Sequence, residues 1–376
     1  MNEFNNVYVG LDSHAATIAV GIARDGREAP VYYGEIPYTE LAVAKLVKQL
    51  GKHGETLHFC YEAGPCGYEL QRQIEALGHR CEVVAPALIP QKPGDRMKTD
   101  RRDCCNLSGL YRAGELTPVW VPDREQEAIR DLTRTREDMK NNERRARQQL
   151  CAFLLRHRRR YTGKSRWTQA HFRWLEQQVF DFPALQLVFQ EYLELVKSLQ
   201  RRVAALEEIM RQCLQGWVWR PVVEGLMALR GVSLITAMST VAELGDLTRF
   251  DSPRQLMGYL GLVPSEHSSG PRRRQGSITC TGNGHVRRLF VEAAWSYQYQ
   301  ARKTAIIERR AEKTSEAVQA IAWEAQKRLC GRYRHLLRSG KTKQQVVTAV
   351  ARELAGFVWA IACEVQGKAH GSKVNV

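Results

Sequence analysis

Short apolar runs open this chain, and long amphipathic stretches fill the rest of it. Residues 7–12, 17–24 and 29–37 are rich in β-branched and aromatic side chains and are separated by turn-length gaps, one of them containing Asp25-Gly26. This pattern predicts three strands joined by hairpins. Residues 39–50 place Leu41, Leu46, Val47 and Leu50 at helical spacing behind Thr39, a candidate N-cap. A fourth strand is expected at 56–62, a helix at 67–77 closed by Gly78, a fifth strand at 80–85 and a helix over 100–113. Residues 117–121 could add a further strand. Residues 123–160 then lack glycine and proline, and charges of both signs alternate from Asp123 to Arg147, which predicts a long solvent-exposed helix. Residues 185–215 predict a second, with Leu185, Val188, Tyr192, Leu195, Leu199, Val203, Leu206 and Met210 on one apolar stripe. An antiparallel helical hairpin over 123–215 is the economical arrangement. Beyond 216 the pattern is mostly helical: 221–229 and 233–244 flank a tight turn at Gly231-Val232, and further helices cover 285–338 and 343–365. Residues 265–284 are polar throughout and read as one long loop, a length that usually signals function or disorder.

Composition places these elements in a class. With 376 residues, 44% hydrophobic and 26% charged, the chain can fill two or three domains with proper cores. No run reaches the roughly 18 apolar residues of a membrane helix, and the start Met1-Asn2-Glu3-Phe4 lacks the features of a secretory signal. Ten cysteines never fall as C-x-x-C, so reduced thiols are expected rather than a zinc site or disulfides. Together these predict a cytosolic protein. The net charge of +16 is unevenly spread. Residues 1–122 hold 13 Lys and Arg against 15 Asp and Glu, a net of −2, and the remainder hold 43 against 25, a net of +18. A rear so basic points to a polyanion as partner.

The front supplies candidate chemistry. Asp12 ends the run Val7-Tyr8-Val9-Gly10-Leu11, and Glu62 ends the run Leu57-His58-Phe59-Cys60-Tyr61. A carboxylate at the C-terminal end of a buried strand lies at the rim of the sheet, where open α/β folds place their sites. Asp100 and Asp103 are three apart on a predicted helix and share a face. Four carboxylates suit a pair of Mg²⁺ ions, with Mn²⁺ as a second choice, and paired metals are a device for cutting phosphodiesters. Without its partners, Glu62 reads equally well as a capping or salt-bridging carboxylate at a strand end. In the middle, Arg158, Arg159 and Arg160 lead into Tyr161, Lys164, Arg166, Trp167, Phe172, Arg173 and Trp174. Cations interleaved with aromatics suit phosphate pairing and base stacking; the competing reading is a solvated helix tip with its aromatics packed beneath.

Three hairpin-connected strands followed by α-β-α-β-α is the element order of ribonuclease H-like folds, and its opening also suits an actin-like ATPase. The latter wants a Gly-rich phosphate loop after the first aspartate, where Ser13-His14-Ala15-Ala16 supplies none. Specific blocks then carry a resemblance. Gly10-Leu11-Asp12-Ser13-His14, Tyr61-Glu62-Ala63-Gly64-Pro65 and Lys98-Thr99-Asp100-Arg101-Arg102-Asp103 resemble the three blocks of a DEDD nuclease domain. Gly261-Leu262-Val263-Pro264, Ser268-Ser269-Gly270, Ile278 with Gly282-Asn283, and Ala351-Arg352-Glu353-Leu354 resemble the later blocks of the same family. In order and spacing the set resembles the DEDD transposases of insertion sequences, relatives of the Piv/MooV invertases and regarded as bridge-RNA-guided recombinases.

That resemblance implies an α/β plus all-α architecture. A RuvC/ribonuclease H-like domain would occupy 1–122, a helical coiled-coil-like region 123–215 and a mostly helical transposase domain 216–376. Asp12, Glu62, Asp100 and Asp103 would bind Mg²⁺. A rear-domain serine, Ser269 or its neighbour Ser268, would form a covalent phosphoserine link to DNA; Arg272, Arg273 and Arg274 follow it directly in the chain and could clamp the phosphate or the RNA backbone. Partners would be donor and target double-stranded DNA, a structured non-coding guide RNA, and further copies in a dimer or tetramer. A prokaryotic, nucleoid-associated setting in the cytoplasm is implied only by this resemblance. Residue chemistry alone leaves three other readings open: a RuvC-like structure-selective nuclease or resolvase using metal-activated water, a non-catalytic nucleic-acid scaffold, and the ATPase.

Overall fold

The computed structural model describes residues 5–91, 99–266 and 274–367. Two compact units follow one another, Met1–Pro122 and Asp123–Val376.

The first unit is a five-stranded sheet with helices on both faces. Its elements are β1 (Asn6–Ser13), β2 (Thr17–Arg24), β3 (Val31–Pro37), α1 (Glu40–Leu50), β4 (Thr56–Glu62), α2 (Glu69–Ala76), β5 (Arg80–Val84) and α3 (Asp100–Ala113). The sheet order is β3-β2-β1-β4-β5; the two hairpin pairs are antiparallel, and β1-β4 and β4-β5 are parallel. Side chains alternate across the sheet. Val7, Val9 and Leu11 of β1, with Leu57, Phe59 and Tyr61 of β4, bury against Val43, Leu46 and Leu50 of α1 and Leu70 and Ile74 of α2. The opposite face carries α3, whose Leu107 packs with Cys60 and Val84. The order of elements read from the sequence is thus present. Residues 117–121 make less than a strand: an isolated bridge joins Val84 to Pro118, and the Val119 amide donates to the Val83 carbonyl at 2.8 Å.

The second unit is helical. It comprises α4 (Arg124–Arg156), α5 (Gln169–Glu176), α6 (Pro183–Gly216), α7 (Arg220–Leu226), α8 (Leu234–Leu244), α9 (Pro253–Tyr259), β6 (Pro264–Glu266), β7 (Gln275–Ile278), α10 (Gly284–Ala294), α11 (Ala305–Ala311), α12 (Glu316–Arg338) and α13 (Lys343–Val365). The helices α4 and α6 run antiparallel. Ile129 near the start of α4 shares a core with Met210 and Leu214 near the end of α6, and Leu150, Phe153 and Leu154 share another with Phe189, Leu193 and Val196. The apolar stripe expected on α6 is corrected in its first half. Val188 and Leu195 are 42% and 45% exposed, and the buried face runs through Phe189, Leu193, Val196, Leu199, Val203, Met210 and Leu214. Both stripes fit a period of 3.6, and only the partner helix decides between them.

The rear core is built around α13, whose residues Leu354 to Val358 and Ala360 to Cys363 are all buried. This helix is long and apolar enough to cross a membrane, but 78% of its apolar window is buried inside the unit, as in the core helix of a globular protein. The expected polar loop at 265–284 is also corrected. Among the described residues it contains an antiparallel ribbon, Pro264 opposite Ile278 and Glu266 opposite Gln275. Glycine and serine in β7, exposed on both faces, leave no apolar alternation by which sequence could reveal a strand.

Candidate metal centre

The first unit brings its acids together through two glycines. In the β1-β2 ladder Gly10 lies opposite Gly21, and in the β1-β4 ladder Gly10 lies opposite Cys60. All three face α3. A Cβ at Gly10 would stand 2.4 Å from the Cys104 carbonyl oxygen, and one at Gly21 would stand 2.5 Å from the same atom. The backbone of α3 therefore rests directly on the sheet, closer than any side chain allows. The Cys60 thiol reaches the Leu107 carbonyl at 3.8 Å, one turn further along.

Period-two alternation does the rest. Asp12 is two residues beyond Gly10, and Glu62 two beyond Cys60, so both belong to the face under α3. They follow directly on Leu11 and Tyr61, the last registered pair of β1 and β4. Asp100 and Asp103 occupy the first turn of α3, where acidic side chains also complement the helix dipole. Burial pushes the Asp12 carboxyl above its usual range, and the charges of Asp100, Asp103 and Glu62 push it further, against an opposing pull from His14. Each of the other three acids is thus close enough to Asp12 to act on its charge. His14 stands in the turn after β1, with Nε2 3.7 Å from Asp12 Oδ2 and 3.4 Å from Asp100 Oδ2. Asp12, His14 and Asp100 offer ligand atoms that all lie within 4.8 Å of one another.

The donor set fits a hard divalent cation. The Oδ2 atom of Asp103 is shut off from solvent and has no hydrogen-bond partner among the described residues, which is costly for a carboxylate unless a cation takes it up. Mutually repelling carboxylates gathered at a sheet rim are likewise relieved by bound positive charge. His14 was not singled out from the sequence, although its position two residues past Asp12 is the available signal. Gly10 and Gly21 were not singled out either, although their pairing is visible once the two strands are set antiparallel.

The other predicted residues are placed as follows. Ser268, Ser269, Arg272 and Arg273 lie outside the described residues. Arg274 is exposed just ahead of β7, and Arg158 and Arg160 are exposed beyond the end of α4. Arg159 donates to the Val179 carbonyl at 3.0 Å and lies over the Phe180 ring. The neighbouring aromatics are engaged with one another: Tyr161 and Trp174 flank His171, which is itself buried.

Comparison with known proteins decides the class. A model of the DEDD transposase domain of IS110-type elements matches residues 9–158, which include all four acids, and a second model, described as transposase IS116/IS110/IS902 family, matches residues 223–308. The y4qE protein of Sinorhizobium fredii is 48% identical over 365 residues, covering 97% of this chain and 90% of its own length. The chain belongs to the IS110/IS116 family of DEDD transposases. The transposase for insertion sequence element IS1533 of Leptospira borgpetersenii is 30% identical over 88% of this chain and 96% of its own length. The pilin gene-inverting protein of Moraxella bovis is 24% identical over 81% of this chain. The protein is accordingly an enzyme that cuts and rejoins DNA, and its DEDD domain implies a divalent metal.

In this transposase the blocks Gly261-Leu262-Val263-Pro264 and Ile278 with Gly282-Asn283 form the root of the β6-β7 ribbon. Gly261 and Gly282 both take left-handed backbone, at φ +61° and +65°. A Cβ on Gly261 would meet the Thr281 backbone, and one on Gly282 the Tyr259 carbonyl. Beside them, Asn283 caps α10 by accepting from the Val286 amide and donates to Glu243 Oε2 at 2.8 Å. Arg134 of α4 grips the same buried carboxylate with both fork positions, at 2.7 and 3.0 Å.

Proposed function

We propose that this transposase exchanges DNA strands with Asp12, Glu62, Asp100 and Asp103 as metal-holding residues and a serine as nucleophile, guided by a structured RNA. The observation that carries the first part is the gathering of the acids under α3, with the buried Oδ2 of Asp103, which has no hydrogen-bond partner among the described residues. Bound Mg²⁺, or Mn²⁺ in its place, would lower the barrier by neutralising charge that develops on the phosphate and the departing oxygen. The chain's own part is to hold four oxygen donors on a rigid rim, with α3 fixed to the sheet at Gly10 and Gly21.

Rejoining requires that the phosphoester bond be conserved. The serine hydroxyl, Ser269 with Ser268 as alternative, would attack the phosphorus. Its Oγ–P bond forms as the P–O bond to the departing deoxyribose oxygen breaks; the serine proton passes to a neighbouring base, and the departing oxygen takes one up. A free hydroxyl of the second duplex then attacks the phosphoserine and restores the serine. The +18 charge of residues 123–376 supports a large polyanionic partner. Guidance by RNA pairing would leave sequence choice to the RNA, with the protein supplying shape and charge. Four strand cuts in two duplexes call for more than one copy of the active centre, in a dimer or tetramer.

The deciding experiment is to react the full-length protein with nicked donor DNA in Mg²⁺, denature it, and look for a protein–DNA adduct. Wild type should give the adduct, Ser269→Ala should lose it while retaining DNA binding, and Asp12→Asn should lose both adduct and exchange. An adduct that survives Ser269→Ala but not Ser268→Ala moves the nucleophile by one residue. Hydrolysis with no adduct in any variant would replace this reading by a resolvase-like use of water.

A further inference from the structure

Within the second unit, α9, α12 and α13 surround a cavity of about 650 Å³ that none of the chemistry above uses. Its charged lining comes from Arg254 of α9, Arg328, Arg332 and His335 of α12, and Arg352 and Glu353 of α13. Val263, which leads into β6 and accepts from the Thr279 amide, closes the side nearest the ribbon.

Glu353 organises the cavity. It is 5% exposed on the core helix α13, and it pairs with Arg328 Nε at 3.0 Å through one oxygen and with Arg332 Nε at 3.0 Å through the other. The second pairing does not make a hydrogen bond, and the buried Nε of Arg332 has none among the described residues. Arg352, the next residue on α13, is half-buried, and no described residue pairs with it. Four guanidinium groups around one carboxylate leave an excess of three positive charges before His335 is counted. A cluster assembled only for stability would balance its charge, since each unmatched cation repels its neighbours. Planar forks held at fixed angles by one buried anion are instead pre-organised for phosphate oxygens, which arginine binds bidentately.

We propose that this cavity seats backbone phosphates of a nucleic acid, with Arg254 and Arg352 contacting phosphate directly alongside the outer guanidinium nitrogens of Arg328 and Arg332, which Glu353 holds in place. Phosphates of DNA and RNA share this chemistry, so the probe has to distinguish them. The assignment rests on the family's action on DNA and not on the identity of the nucleophile. It would place a fixed grip on the polyanion beside the root of the β6-β7 ribbon.

The test is salt-dependent binding of the full chain, its metal-holding acids intact, to a DNA duplex and an RNA duplex of the same arbitrary sequence, each of about 30 base pairs. Each lost contact to B-form DNA lowers the steepness of log K against log salt by about 0.9. Arg254→Gln/Arg352→Gln should therefore flatten the slope by about 1.8 on the preferred duplex, and Arg254→Gln alone by about 0.9. Arg254 is exposed, so the single variant separates binding from folding. The duplex whose slope changes identifies the occupant as DNA or RNA. Lys45→Gln/Lys48→Gln removes the same charge from exposed positions on α1 and should leave both slopes as in wild type. Unchanged slopes on both duplexes in the arginine variants, or an equal fall in the lysine control, would overturn the proposal. Because no acid or serine is altered, a negative result leaves the strand-exchange reading to its own adduct assay.

Discussion

Replacing Gly10 with alanine should disable the proposed metal centre without touching any of the four acids proposed to hold metal. The added Cβ would lie 2.4 Å from the Cys104 carbonyl oxygen, 2.5 Å from the Ser108 amide nitrogen and 2.9 Å from Leu107 Cβ. An ordinary contact begins near 3.4 Å, so sheet and helix must part by about 1 Å. The sheet cannot give readily, because β1 is hydrogen-bonded to β2 on one side and β4 on the other. The displacement therefore falls on α3, and a helix moves as a rod. Asp103 is one residue from the point of collision and Asp100 one turn from it. Functional groups need placing to within about 0.5 Å, and loss of the supporting shell of a metal site typically costs about 10- to 100-fold in affinity. Overpacking should also cost about 1–3 kcal/mol of stability. Mn²⁺ titration by calorimetry or electron paramagnetic resonance reads the affinity, and melting in a chelator reads the stability separately. Gly51→Ala is the control, because its Cβ would meet nothing closer than 3.5 Å. A folded Gly10→Ala protein that binds Mn²⁺ as wild type does would refute the claim that backbone contact between α3 and the sheet sets the site.

Two further outcomes follow from the same geometry. Asp12→Asn should melt at the same temperature with or without Mg²⁺, whereas wild type should gain about 2.7 kcal/mol at a hundredfold excess over Kd; a metal-dependent shift surviving in the variant would remove Asp12 from the site. Glu243→Ala should cost about 3 kcal/mol, at the low end for a broken buried pair because Arg134 is half exposed. Burial pushes the Glu243 carboxyl up, but hydrogen bonds from Arg134 and Asn283 and the charges of Arg134 and Arg130 outweigh it and hold the group below 4.5. A carboxyl depressed in the folded state contributes stability that is complete above the unfolded value and is lost as pH falls below about 4.5. Urea titrations at pH 7 and pH 4 should therefore show the penalty of Glu243→Ala shrinking at the lower pH; an undiminished penalty would mean that the carboxylate's charge is not what matters.

What the sequence revealed and what it concealed divide along one physical line. Asp12 and Glu62 were legible because each terminates an apolar run, and a run's end is a local property of the chain. Asp100 and Asp103 were legible because a spacing of three fixes a shared helix face. The positions of Gly10 and Gly21, of His14, and of the buried face of α6 were not legible in the same way, because each is defined by a partner. A glycine in a strand weakens it by its own propensity. Only when Gly10 is set opposite Gly21, with α3 above both, does the missing side chain become the reason the acids meet. On α6, Val188 and Leu195 satisfy helical spacing as well as Phe189, Leu193 and Val196 do, and the choice belongs to α4. The block Ala351-Arg352-Glu353-Leu354 makes the same point from the other side. As sequence it carries a family resemblance and names no partner for Glu353; in the fold Glu353 is buried under two arginines of α12, 21 and 25 residues earlier in the chain. A charged residue inside an apolar helix is therefore informative only through what it faces, and here it faces cations in excess of its own charge.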